Sequence, residues 1–244
     1  MSKSSNMKLD ILAFGAHPDD IELSCGGTII SHVKKGMKVG LIDFTRGELG
    51  TRGNGKLRIE EAKKSADILG VEFRENLNME DGFFEYSKEN ILKIAEQIRQ
   101  YHPDIILANA LHDRHPDHSR AAQMVNEATF LSGLKKVEII SDGRSLPAWK
   151  TAAVYHYIQD YYINPDIIVD ISDYMKEKFA AILAFSSQFY NENSTEPETP
   201  ISTPEFLDIV KHRCVEVGRL AGVKYGEGFT IKRPPAVRSL KDLI

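Results

Sequence analysis

The sequence has few cysteines, little net charge and no long apolar run. Two cysteines, Cys25 and Cys214, are too few for a disulfide framework, so we expect a protein of the reducing cytoplasm. The net charge of −4 argues against the broad basic surface of a non-specific nucleic-acid binder. No apolar run reaches about 18 residues, and the run at residues 9–14 is too short for a signal peptide. We therefore expect neither a membrane span nor a leader.

The chain has 244 residues and an ordinary globular composition, with 42% apolar and 27% charged residues. We expect residues 1–244 to form a single domain, with residues 2–6 as a frayed tail. Residues 191–204 (NENSTEPETPISTP) lack apolar periodicity, which predicts a mobile loop. Because a long loop in a compact domain is often functional, a lid over a site and an ordinary surface loop both stay open.

Short apolar runs alternate with segments of helical periodicity along the chain. This alternation predicts an α/β fold of the Rossmann-like, three-layer type, in which a mostly parallel sheet has helices on both faces. Ser87 is placed to cap the third helix, and Gly36 and Gly70 to end the first two. The predicted strands are residues 9–15, 38–45, 71–77, 104–108, 152–158 and 166–171, and the predicted helices are residues 19–35, 57–69, 87–101, 117–131, 172–189 and 204–221.

Two loops at the predicted carboxyl edge of the sheet carry histidine and aspartate. Ligands of such sheets bind at this edge. The loop after the first strand holds His17 and Asp20, and residues 111–118, after the fourth, hold three of the eight histidines. A catalytic zinc commonly has three nitrogen or oxygen ligands, and His118 would complete such a set. With no thiolate nearby, a hard or borderline divalent ion fits, and Zn²⁺ is the first expectation.

Simpler interpretations stay open for each motif. Two aspartates at a helix start are an ordinary N-cap, and His115-x-x-His118 is an ordinary polar pair. A Rossmann-like nucleotide-binding protein would need Gly-x-Gly-x-x-Gly after the first strand, whereas Gly15 is followed by two carboxylates that would repel a pyrophosphate. A non-catalytic metal-binding protein is the remaining alternative, and an open three-ligand site argues against it.

Several motifs share one family pattern. They are Phe14-Gly-Ala-His17-Pro-Asp19-Asp20, Gly26-Gly27-Thr28, Thr45-Arg-Gly-Glu-Leu-Gly-Thr51, Arg114-His115-Pro116-Asp117-His118 and Tyr225-Gly-Glu-Gly-Phe229. Together they resemble the signature of the PIG-L/LmbE-like family of zinc-dependent de-N-acetylases, and the resemblance extends over essentially the whole chain.

The resemblance implies a hydrolase that removes the N-acetyl group from an N-acetylglucosamine conjugate. It places His17, Asp20 and His118 on the zinc and makes Asp19 the general base toward the attacking water. Within the family the chain most resembles the bacillithiol-pathway branch, which acts on N-acetylglucosaminyl-malate. Chitobiose-type and inositol conjugates are the alternative substrates. A homo-oligomer, with a hexamer as one size, is also implied.

Four more residues complete the predicted site. His115 is the candidate that stabilises the oxyanion as an imidazolium or protonates the leaving amine, and Asp117 would orient it, with a plain N-cap as the alternative for Asp117. Arg58 and Arg114 are candidate substrate-binding residues, because arginine binds carboxylates bidentately and malate offers two. A solvated surface charge is the alternative for either arginine.

Overall fold

Seven strands form the central sheet of the computed structural model, which describes residues 7–242. The tail predicted for residues 2–6 lies outside the described residues. The sheet strands are β1 (Ile11–Gly15), β2 (Val39–Asp43), β3 (Phe73–Asn76), β4 (Ile105–Ala108), β7 (Ala153–Tyr157), β8 (Ile167–Asp170) and β9 (Gly226–Ile231), and β5 (Ile140–Ser141) and β6 (Arg144–Ser145) form a separate hairpin.

The order across the sheet is β3-β2-β1-β4-β7-β9-β8. Neighbouring strands are parallel from β3 to β7, and β9 runs antiparallel to both of its neighbours. The helices are α1 (Asp20–Lys34), α2 (Gly55–Leu69), α3 (Lys88–Tyr101), α4 (Pro116–Ser132), α5 (Met175–Leu183) and α6 (Phe206–Ala221). Among the described residues, no helix combines the length and the apolar character needed to cross a membrane.

Side chains of β1 alternate between two cores on opposite faces of the sheet. Leu12 and Phe14 pack with the apolar sides of α3 and α4, whereas Ile11 and Ala13 pack with α1. All four are at most 1% exposed, so both faces of the strand are covered. The predicted three-layer α/β fold with a mostly parallel sheet is thereby confirmed.

Two sequence predictions were wrong at the carboxyl-terminal side. The helix predicted over residues 172–189 ends at Leu183, because Ser186 and Ser187 donate side-chain hydrogen bonds to the buried carboxylate of Glu61, and the Ser187 N–H adds a third at 2.7 Å. Strand β9 was missed, because its two glycines conceal the alternation that identifies a strand.

Residues 191–204 contain neither helix nor strand, as predicted. They are held against the loop that follows β2 at two points. Arg52 Nη2 donates to Ser194 Oγ at 2.6 Å, and the Gly53 N–H donates to Glu196 Oε1 at 2.9 Å. This segment therefore lies beside the carboxyl edge of the sheet.

Candidate metal centre and active site

The loops after β1 and β4 meet because the two strands are parallel neighbours. Asn109, directly after β4, ties the loops together: its Oδ1 accepts from the Ala16 N–H at 3.0 Å, and its Nδ2 donates to Asp20 Oδ2 at 3.0 Å. Gln159, after β7, also reaches Asp20, at 3.2 Å. The sheet topology thus brings together side chains that lie about 100 residues apart in the sequence.

Asp19 stands immediately before α1 in a left-handed conformation, with φ of 112°. Such a φ is rare for a non-glycine residue. The side chain of Asp19 makes no capping hydrogen bond, so it is not the ordinary N-cap that the sequence left open. Instead the next residue, Asp20, accepts from the His17 N–H at 3.0 Å and closes the turn.

Three predicted ligands converge on one point. Asp20 Oδ2 lies 3.6 Å from His17 Nδ1, and Asp20 Oδ1 lies 3.1 Å from His118 Nε2. The imidazole of His115 joins them, since His17, His115 and His118 each offer a ring nitrogen within 4.8 Å of the others. The structure therefore assembles a compact donor set of three imidazoles and one carboxylate.

The outer nitrogens of both candidate histidine ligands meet carboxylates. His118 Nδ1 lies 2.5 Å from Asp113 Oδ2, while His17 Nε2 lies 3.1 Å from Asp81 and 3.3 Å from Asp117. In metalloproteins a carboxylate commonly holds the ring of a ligating histidine in this way. The donor set and its buttressing carboxylates therefore fit a divalent cation such as zinc.

The carboxylates also make the centre favourable for positive charge. Burial opposes charge on His118, but Asp20 and Asp113 raise the pKa of its ring to about 9. Burial alone would raise the pKa of Asp20, yet His118 and His17 hold it well below its ordinary value. A divalent cation would take the place of the histidine protons here.

His115 caps α4 with its ring. The Asp117 backbone N–H donates to His115 Nδ1 at 3.2 Å, so a neutral ring carries its proton on Nε2. Burial and the neighbouring rings of His17 and His118 lower the pKa of His115. The geometry therefore offers a neutral N–H donor rather than the imidazolium that the sequence analysis considered.

Asp117 contacts His115 through its backbone N–H. Its carboxylate lies beside His17, with Oδ2 at 3.3 Å from His17 Nε2. There it accepts from the Gly82 N–H and from Arg120, each at 2.9 Å. Asp117 therefore holds His17 with its side chain and His115 with its backbone N–H.

Arg58 contacts the candidate base directly. Its Nη2 lies 2.9 Å from Asp19 Oδ2 and also donates to the Pro18 carbonyl, and its Nη1 donates to Gln188 at 3.1 Å. Arg58 is 4% exposed, so it is not a solvated surface charge. Burial raises the pKa of Asp19 to about 7 even though Arg58 opposes that rise. Gly47 has a left-handed φ of 63°, and a Cβ there would lie 2.8 Å from the guanidinium, which together explain the glycine.

Arg114 lies at the edge of the site. Its side chain is 52% exposed and pairs with Asp160 at 3.1 Å. A third arginine, Arg213 of α6, donates to the backbone carbonyls of Gln159 and Asp160. All three arginines line a cavity of about 680 Å³ that also contains the histidine cluster. This volume lies within the usual range for small-molecule sites.

A break in α1 fixes the turn that carries the aspartates. Cys25 has non-helical angles (φ −141°, ψ 19°). Glu227 of β9 enters the break and accepts from the N–H groups of Gly27 and Thr28 at 3.0 and 2.6 Å. Lys178 of α5 pairs with Glu227 at 2.7 Å and donates to the carbonyls freed on the other side of the break.

Sequence reasoning missed most of the supporting residues. Asp81 follows β3 at the same sheet edge, so its position was a usable signal. Asn109 directly follows the predicted fourth strand and was equally accessible. Lys178 carried no signal, because a lysine on an amphipathic helix ordinarily faces solvent and this one is completely buried.

A buried histidine–aspartate centre beside a second carboxylate, at the carboxyl edge of a parallel sheet, defines a metal-dependent hydrolase of the α/β class. The comparisons with known proteins agree. Residues 12–129 match the family described as PIG-L, GlcNAc-PI de-N-acetylase.

Two curated relatives bear on the substrate. Diacetylchitobiose deacetylase of Thermococcus kodakarensis is 31% identical over 90% of this chain and 81% of its own length. A probable N-acetyl-α-D-glucosaminyl L-malate deacetylase 2 of Bacillus cereus is 26% identical over 75% of this chain and 84% of its own length.

Solved structures show the same fold. A conserved protein of Thermus thermophilus superimposes with a TM-score of 0.83 at 32% identity, covering 94% of this chain and 97% of that one. N,N′-diacetylchitobiose deacetylase of Pyrococcus horikoshii gives 0.77 at 28% identity, covering 96% and 88%.

The chain belongs to the PIG-L family. It is an N-deacetylase, a hydrolase that acts on the amides of N-acetylglucosamine-type substrates, and its family is metal-dependent.

Proposed function

We propose that this enzyme uses zinc to remove the acetyl group from an N-acetylglucosaminide whose reducing-end substituent is uncharged, as the second sugar of diacetylchitobiose is. His17, Asp20 and His118 hold the metal. The observation that carries the metal assignment is the pair of carboxylate-buttressed histidines, Asp113 on His118 and Asp117 with Asp81 on His17. Zinc is favoured over other divalent ions because imidazole and carboxylate donors in a set of three suit it.

The mechanism assigns separate tasks to Asp19 and His115. Zinc, when bound, polarises the acetyl carbonyl and activates water. Asp19 Oδ2 is engaged by Arg58, so Oδ1 is the oxygen that takes the proton of the attacking water and passes it toward the leaving amine. The Nε2–H of His115 donates to the developing oxyanion. Arg58 positions Asp19, and Asp117 positions both His17 and His115.

An uncharged second unit suits the cavity better than malate. Malate would need two cationic partners, and the three arginines that line the cavity already have partners. Arg58 is buried on Asp19, and Arg213 donates to two backbone carbonyls. Arg114 is the exception that keeps malate as a second candidate, because its half-exposed pair with Asp160 is weak and could be exchanged.

The test is acetate release from diacetylchitobiose, N-acetylglucosamine and N-acetylglucosaminyl-malate by the metal-free protein with and without added Zn²⁺. We expect zinc-dependent release that is fastest from the disaccharide. Faster release from the malate conjugate would replace the proposed substrate. No release from any of the three would refute the proposed activity on this substrate class.

We also infer, on the family resemblance, that residues 1–244 form one domain that assembles as a homo-oligomer in the cytoplasm. A hexamer is one size consistent with that resemblance. Light scattering of the purified chain tests this, and a monomer at micromolar concentration would contradict it.

A further inference from the structure

One wall of the cavity is a continuous stripe of α6. Its residues recur at the spacing i, i+3, i+4, i+7, i+8 and i+11, which is one face of a helix. Five of the six are apolar or weakly polar. The stripe consists of Phe206, Ile209, Val210, Arg213, Cys214 and Val217.

This stripe is only partly used by the protein's own core. Val210 belongs to an apolar cluster shared with α2 and α5, and the ring of Phe206 stacks on Phe189 at 6.0 Å. Ile209, by contrast, is 53% exposed although it lines a cavity. Pro200 and Ile201, from the segment before α6, extend the same wall. Apolar surface is therefore available for a ligand to cover.

Most polar side chains of the cavity lining are engaged by the protein itself. Gln159 donates to Asp20, Gln188 accepts from Arg58, Asp160 pairs with Arg114 and Glu227 pairs with Lys178. His17, Asp19, Asp20, His115 and His118 form the catalytic cluster, and the arginines have partners as described above. The α6 stripe contributes one polar group, the guanidinium of Arg213, whose Nη1 and Nη2 donate to backbone carbonyls. A ligand group beside this wall would find few hydrogen-bonding partners and much apolar surface.

We propose that the α6 wall binds an apolar aglycone, so that the preferred substrate is an N-acetylglucosaminide with an alkyl or aryl group at its reducing end. The inference rests on the proposed deacetylation and narrows its substrate. The sugar occupies the polar part of the cavity and presents its acetyl group to the catalytic cluster. The aglycone then covers Ile209 and its neighbours on α6.

The test is a series of N-acetylglucosamine glycosides with linear alkyl groups from methyl to heptyl, in both anomeric forms. Burial of a methylene is worth about fourfold in an equilibrium constant. We therefore expect kcat/KM for acetate release to rise about fourfold per carbon until the cavity is full. Binding of the same glycosides to the zinc-loaded protein is measured by titration calorimetry in parallel, with the same rise expected in affinity.

A matched pair of variants separates the cavity wall from the rest of α6. Ile209→Asn places a polar group on the wall, and Val215→Asn makes the same kind of change at a branched, 41% exposed position of α6 that is not among the residues lining the cavity. We expect Ile209→Asn to reduce the increase in kcat/KM per added carbon to below twofold. Val215→Asn should leave that increase unchanged.

Three results would overturn the inference. One is that neither kcat/KM nor affinity changes with the length of the alkyl group. Another is a higher kcat/KM for diacetylchitobiose than for the heptyl glycoside, which would show that a second sugar occupies the wall. The third is a uniform loss in Ile209→Asn with the rise per carbon retained. Absence of acetate release would count against the proposed function, and the calorimetric series would still decide what the wall binds.

Discussion

Lys178 and Glu227 form a fully buried ion pair at 2.7 Å inside the break of α1, with side chains 0% and 2% exposed. The pair satisfies backbone groups on both sides of the break, the carbonyls of Glu22 and Leu23 and the N–H groups of Gly27 and Thr28. The short first turn of α1 is thereby fixed, and that turn carries Asp20.

Removal of one partner of this pair should be more damaging than removal of both. Lys178→Met leaves the Glu227 carboxylate buried without a cation, which we expect to cost about 3–5 kcal/mol in the free energy of unfolding. Lys178→Met combined with Glu227→Gln removes both charges and should recover part of that loss. Urea unfolding of both single variants and the double variant measures the coupling. Strictly additive losses would show that the two side chains act independently.

Asp113 should control the affinity of the centre for zinc through His118. In Asp113→Asn the residue keeps its size but loses the charge that holds the ring, so we expect zinc to bind about 10–100-fold more weakly. Competition with a chromophoric chelator measures the affinity. Asp104→Asn is the control, because Asp104 is in an exposed pair with Lys8 and both residues precede their strands, at the edge of the sheet opposite the ligands. Equal zinc affinity in the Asp113 and Asp104 variants would show that Asp113 does not contribute to zinc binding.

Removal of the metal should abolish acetate release and lower the thermal unfolding temperature. A ligand that binds only the folded state stabilises it by about 4 kcal/mol at 1,000 times its dissociation constant. Zinc added to the chelated protein should restore both properties, and His118→Ala should eliminate the thermal shift. If zinc raised the unfolding temperature of His118→Ala as much as that of the wild type, the ion would bind elsewhere.

His156 should make the folded state sensitive to mild acid. Its Nδ1 lies 2.7 Å from the Asn109 carbonyl, and Asn126 lies 3.1 Å from its Nε2, which suits a neutral ring. Burial lowers the pKa of His156, so the unfolded state binds more protons as the pH falls through and below 6.5. The stabilising contribution of neutral His156 is therefore fully present above about pH 6.5 and is lost as the pH falls further.

Comparison with His156→Gln isolates this contribution. Urea unfolding between pH 7.5 and 5 should show a steeper loss in the wild type, by up to about 1.4 kcal/mol per pH unit. Identical slopes in the two proteins would show that His156 does not titrate differently on unfolding.

The proximity of His17, Asp20 and His118 could be predicted from the sequence because this proximity depends on the strand topology alone. Once β1 and β4 are recognised as parallel strands of one sheet, their following loops share an edge. The separate roles of His115 and Asp117 depend on directions at the start of α4. A pattern of residue types contains no such information, so the contact between the Asp117 carboxylate and His17 was not predicted.

The break in α1 was beyond sequence reasoning for a different reason. Apolar spacing over residues 19–35 predicts one continuous helix, and the observed helix has nearly those bounds. The break at Cys25 is stabilised by Lys178 and Glu227, which come from elements far along the chain. The glycine at position 27 was visible, but its cause, Ile171 at 2.8 Å from where a Cβ would stand, was not.

The most direct test of the account is the Asp19→Asn variant, assayed for bound zinc and for acetate release from diacetylchitobiose. Asparagine tolerates the left-handed conformation of this position and keeps an oxygen for Arg58, but it cannot take a proton. We predict zinc content equal to that of the wild type and a rate lower by about 10²–10⁴-fold. Full zinc content with a wild-type rate would contradict the assignment of Asp19 as the base.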